Sequence, residues 1–211
     1  MKLAAALVFA AFASVGTRSE ARERDAAPQP ATVEHEPATR VSARLSVGAG
    51  GGSVGVAGRV GLQLEYWLSE HLGISAVGAL PGQTSLSLFG AGTSSSYWFV
   101  GPALAARSHS SGTHALASAA VGYMDGTRTR YGEASFLCFE GDCDVEPPRR
   151  TQLRGIAAVL SAGFAAGDGP VQLGLLGVLD LGQPIASGTP DESAEPAIAL
   201  TLNFTLALGI R

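Results

Sequence analysis

Charge is scarce in this chain. Charged residues make up 15% of its 211 positions, against roughly 25% in ordinary soluble domains. A water-facing surface built from so few charges would be poorly solvated. Lysine is nearly missing: Lys2 is the only one, so every other basic residue is arginine. The formal net charge is −4 and no arginine-rich face appears, which excludes a nucleic-acid partner that must be met by a basic surface. No stretch reaches the about 18 apolar residues of a spanning helix, so a helical membrane protein is excluded as well. Only two cysteines occur, Cys138 and Cys143, inside a polar stretch without a histidine nearby. A metal site would need more ligands, and in an exported protein this spacing favours a small loop disulfide.

What the chain does have is apolar residues, 46% of the total, and 28 glycines. From Ala197 to Arg211, Ile198, Leu200, Leu202, Phe204, Leu206, Leu208 and Ile210 stand at every second position, with small or polar residues between them. Side chains alternate faces along a strand, so this segment predicts a strand with one continuous oily face. Its length suits a tilted bilayer crossing, which takes about 9–11 residues. The other end of the chain supplies the address. Residues 1–21 carry Lys2, a short apolar run and then small residues, the pattern of a cleaved secretory signal. Residues 22–38 are charged and proline-containing with no apolar period, as in a flexible periplasmic linker. There His35 lies between Glu34 and Glu36 and reads as part of a solvated segment.

Residues 39–211 divide into eight alternating segments, expected at about 40–49, 58–68, 72–80, 96–107, 114–124, 151–165, 171–181 and 197–211. The spacers between them alternate in length. The Gly-rich stretch 48–58, Pro81 to Ser95, 125–150 and Gly182 to Pro196 are long, whereas 69–71, 108–113 and 166–170 are short. Short periplasmic turns and long extracellular loops are the habit of outer-membrane barrels. The expected fold is therefore all-β: an eight-stranded antiparallel up-and-down transmembrane β-barrel, with the linker and the C-terminus periplasmic.

On the Glu65-Tyr66-Trp67-Leu68-Ser69-Glu70-His71-Leu72-Gly73 hairpin, the Val100-Gly101-Pro102-Ala103-Leu104 strand and the alternating last strand, the chain resembles the small eight-stranded outer-membrane proteins of the OmpA, OmpX and OmpW type. The resemblance covers about 40–211. It departs at the end, where such proteins usually finish on an aromatic residue and this one on Gly209-Ile210-Arg211. The resemblance implies outer-membrane lipids, lipopolysaccharide and the barrel assembly machinery as partners. It also admits an OmpW-like narrow channel, or an outer-membrane lipid hydrolase with a Ser–His pair.

Arg44, Arg59, Glu65, Arg154 and Asp180 are expected on the lumen face. Charges there must be paired, and Arg44–Glu65 and Arg154–Asp180 are the expected pairs in an interior ionic network. A closed plug and a gated ion path both follow from such a network, and the plug is the leading expectation. Gly50-Gly51-Gly52-Ser53-Val54-Gly55 matches a dinucleotide-binding glycine pattern, but an alternating segment rather than a helix follows. No catalytic, cofactor or metal site is assigned. His71, His109 and His114 are expected as surface turn residues. The segment 125–150, with Glu133, Glu140, Asp142, Asp144 and Glu146 beside Arg128, Arg130, Arg149 and Arg150, is the expected surface for an extracellular ligand.

Overall fold

The structure, a computed structural model, describes residues 40–85, 92–109, 112–132, 147–167, 170–185 and 196–210. The signal and linker expected at 1–38, the Cys138–Cys143 disulfide, and the loop acids Glu133, Glu140, Asp142, Asp144 and Glu146 lie outside the described residues.

Eight strands form: β1 (Val41–Gly52), β2 (Gly55–Trp67), β3 (Leu72–Thr84), β4 (Gly92–Arg107), β5 (His114–Tyr131), β6 (Arg149–Ala166), β7 (Val171–Pro184) and β8 (Ala197–Ile210). Each pairs antiparallel with the next, and β8 pairs with β1, so the sheet closes into an up-and-down barrel. Closure leaves no strand edge with unsatisfied backbone groups. Val41 pairs with Ile210, so the chain enters and leaves the barrel at one end. The strand ends at Trp67 and Leu72, at Arg107 and His114, and at Ala166 and Val171 lie at that same end, and those at Gly52 and Gly55, at Thr84 and Gly92, at Tyr131 and Arg149, and at Pro184 and Ala197 lie at the other.

Two expectations about the connections are corrected. The Gly-rich stretch 48–58 is not a long loop: β1 and β2 run through it and meet at Ser53–Val54, the shortest connection of all. Glycine lets the strands press together there. A Cβ on Gly50 would strike the Leu200 carbonyl oxygen of β8, and Gly55 takes a φ of 142°, which suits glycine alone at the turn. The hairpin is then tied to β8, since Ser53 N donates to Ile198 O at 2.8 Å. The second correction concerns 125–150. β5 continues to Tyr131 and β6 begins at Arg149, so Arg128, Arg130, Arg149 and Arg150 stand on paired strands rather than in a loop.

Alternation decides which residues face where. Leu62, Leu64, Leu104, Leu173, Leu200, Leu202 and Phe204 are exposed on the outer wall, Phe204 by 73%. The inner positions on the same strands are buried or half-buried. Eight strands enclose a lumen that side chains can just fill, and here they fill it in two kinds of wall. On β3 to β6 the interior is mainly apolar: Val77, Ala79, Phe99, Ala103, Leu116, Met124, Leu153 and Val159 form one buried cluster, with Gln83, Ser95, Arg107, His114 and Arg128 as buried polar exceptions. On β8, β1 and β2 it is polar, with Ser42, Arg44, Ser46, Arg59, Glu65, Thr201, Asn203 and Thr205 all buried.

Candidate functional site

The polar wall is the chemically distinctive part of the molecule, and it works through parity. Arg44 lies between outward Ala43 and Leu45, and Glu65 between outward Leu64 and Tyr66, so both turn inward. In the β1–β2 register Ser42 faces Glu65 and Arg44 faces Gln63, which sets Arg44 diagonally beside the carboxylate. Arg44 Nε donates to Glu65 Oε1 at 2.9 Å and Nη2 to Oε2 at 3.4 Å, while Ser42 Oγ donates to Oε2 at 2.7 Å. Both side chains are almost wholly buried.

The second pair is not the expected one. Asp180 is met by Arg59, whose Nε donates to Oδ2 at 3.1 Å across the lumen from β2 to β7. Arg59 Nη1 also donates to Ser46 Oγ at 3.3 Å. The expected Arg154–Asp180 pair does not form. Arg154 shares the parity of outward Ile156, its side chain is 57% exposed, and it pairs with Asp125 at 3.4 Å on the outer wall. Counting parity from Ile156 would have placed it correctly. Arg59–Asp180 was harder to find, because β1 and β8 separate the two strands in the sheet and no neighbour rule connects them.

Polar groups continue along the lumen axis. Gln63 Nε2 donates to Ser75 Oγ at 3.1 Å, and the Ser118 and Ser161 hydroxyls meet at 2.7 Å. Near the Ser53–Val54 end, Gln83 accepts from Val54 N at 3.1 Å and donates to Ile198 O at 3.1 Å, tying the β1–β2 turn to β8. At the opposite end the Arg107 guanidinium lies over the Trp67 ring, 4.0 Å from its centroid. Arg107 Nε also donates to Glu70 O at 2.8 Å. Sequence reasoning missed this stacked pair, although both residues sit at inward parity beside a turn.

His114 is a further correction. It was expected on the surface but is the first inward residue of β5, buried, with Nδ1 3.0 Å from Gly112 O. His71 and His109 are exposed. Among the described residues no group of three or more His, Cys, Asp or Glu side chains could hold a metal ion.

Among the described residues, small cavities interrupt the filling. One lies between the ion pairs, lined in part by Arg44, Ser46, Arg59, Gln63, Ser118 and Ser161. The other adjoins it below Arg44, next to Glu65 and Trp67. On the outer wall Trp98 and Tyr123 pack as tilted rings with centroids 5.4 Å apart. Directly beyond them, Asp125 of β5 faces Trp98 on one side and Arg154 on the other. The outward row therefore changes from apolar through aromatic to polar along β4 to β6.

No protein-family model matches the chain, and no curated protein does. Solved structures that share its shape include Ail, the attachment invasion locus protein of Yersinia pestis, crystallised with the heparin analogue sucrose octasulfate. It is 10% identical, with 80% of this chain and 99% of that one covered and a TM-score of 0.47. Another structure of the same Ail protein is 8% identical, covering 80% and 97%, with a TM-score of 0.45. The N-terminal β-barrel domain of Pseudomonas aeruginosa OprF is 11% identical, covering 79% and 97%, with a TM-score of 0.40.

Proposed function

We propose that this protein is a non-enzymatic outer-membrane β-barrel with a structural or surface-interaction role, its lumen closed by the two ion pairs and their hydroxyl partners. One observation carries the reading: the barrel is inside out for water. Its outer wall is a band of exposed Leu, Val, Ile and Phe, and Arg44, Arg59, Glu65 and Asp180 are buried in the lumen. A soluble barrel would hide the leucines and solvate the arginines. In a bilayer the same arrangement is favourable, because lipid chains accept the leucines and closure satisfies the backbone.

In this reading the 53–54, 85–91, 132–148 and 185–196 end faces outward and both chain ends face the periplasm. The outer wall contacts outer-membrane lipids, the polar row of Asp125 and Arg154 lies at the lipopolysaccharide headgroups, and the barrel assembly machinery inserts the chain. The ribbon of β5 and β6 around 125–150 is the surface offered to an extracellular ligand. The test is a gel-mobility comparison of the mature chain refolded in detergent, boiled and unboiled. A compact, faster unboiled band is expected, and a chain that folds in water without detergent would overturn the reading.

The adjoining cavities around Arg44 favour one second reading, a narrow conduit for small solutes. Planar-bilayer recording separates the two: the plugged barrel gives no resolvable current, and discrete openings would establish the conduit.

A further inference from the structure

The cavity between the ion pairs has an unusual lining. Arg44 and Arg59 both line it, and neither Glu65 nor Asp180 does. Glu65 lines only the lower cavity, and Asp180 lines neither. The arginine of each pair therefore borders one shared space. Arg44 engages Glu65 through Nε and Nη2, which turns Nη1 away from the carboxylate. Nη1 is buried and has no hydrogen-bond partner. An unsatisfied guanidinium N–H in a low-dielectric interior is costly.

The remaining wall supplies donors. Of the two hydroxyl hydrogens on Ser118 and Ser161, one is used between the pair and the other is free for a third group. The Gln63 amide also lines the space. The space is small, with room for one water-sized occupant and little more.

From this we infer that the lumen holds a small monovalent anion of halide size, with chloride as the abundant physiological candidate. Arg44 Nη1 and the Arg59 guanidinium supply its charge partners, and the Ser118–Ser161 pair supplies a neutral donor. The anion bridges the two ion pairs, so that the polar wall becomes one connected unit from Ser42 to Asp180. A water molecule could take one hydrogen bond from Arg44, but an anion answers the charge of the guanidinium as well as its N–H. The inference rests on the closed interior and does not depend on the membrane placement.

Bromide is the probe. Crystals of the refolded full barrel grown in sodium bromide are expected to give an anomalous peak between Arg44 and Arg59. In solution, replacing gluconate by bromide or chloride at fixed ionic strength is expected to raise the temperature at which the compact band is lost by about 3 °C, on the scale of a ligand bound at tenfold its Kd. Gluconate is too large for the cavity. The Ser118→Ala/Ser161→Ala variant, whose hydroxyls contact each other, is expected to fold and to lose most of that halide increment. Arg44→Met/Glu65→Met, which removes a whole pair, is expected to lose all of it. Density for water alone with no bromide peak, bromide found only on the surface, or an increment that persists in both variants would each overturn the inference.

Discussion

The lumen of this barrel has two walls that are stabilised by different physics. On β3 to β6, Phe99, Met124, Leu153 and Val159 pack as an ordinary apolar core. On β8, β1 and β2, the space is filled by Arg44, Glu65, Arg59, Ser46 and Asn203, with Asp180 reaching in from β7. The apolar wall tolerates small volume changes, because each contact is weak and the loss is spread over many atoms. The polar wall is less forgiving: taking away one partner leaves a buried charge with nothing to meet it. The closed lumen thus combines a broad packing surface with a few all-or-none contacts.

That contrast is breakable. The largest effect is expected from Asp180→Ala, which strands the buried Arg59 and should cost about 3–5 kcal/mol. Removing both partners, as Arg59→Met/Asp180→Leu, should recover most of that loss, because an apolar pair of similar volume fills the space without an unpaired charge. Urea unfolding of the detergent-refolded barrel measures both. A double variant no more stable than Asp180→Ala would show that the arginine is not the source of the cost. On the opposite wall, Phe99→Leu should cost about 1 kcal/mol in the same assay, since the change in volume is modest and no charge is exposed. A larger loss there would place the two walls on the same footing. The smallest effect belongs outside the lumen. Arg154→Ala should change stability by less than about 1 kcal/mol, because its pair with Asp125 is solvent-exposed on the outer wall.

The strand order, the inward parity of Arg44, Arg59, Glu65 and Asp180, and the Arg44–Glu65 contact were legible from alternation alone. These depend only on a period of two and on neighbouring strands, both of which are written locally in the sequence. The failures share a cause. In 48–58 glycine removes the alternating signal, so a paired hairpin reads as a loop. Around Arg154, beyond the Trp98–Tyr123 ring pair, the outward row is itself polar, so a charged residue there no longer signals the inside. Arg59–Asp180 crosses the lumen between strands separated in the sheet, and such a contact depends on barrel geometry that no local pattern carries. His114 illustrates a milder case, in which a turn-proximal residue belongs by parity to the interior.

The two tryptophans give a direct reading of the inside-out arrangement, since Trp98 is 43% exposed on the outer wall and Trp67 is 4% exposed in the lumen. Trp67→Phe leaves only Trp98, and Trp98→Phe leaves only Trp67, so each single-tryptophan variant reports one side of the same wall. Both would be refolded into vesicles carrying bromine on the lipid acyl chains near the headgroups, and fluorescence quenching measured. The account predicts strong quenching of Trp98 and little of Trp67. Equal quenching of the two, or quenching of Trp67 alone, would contradict it.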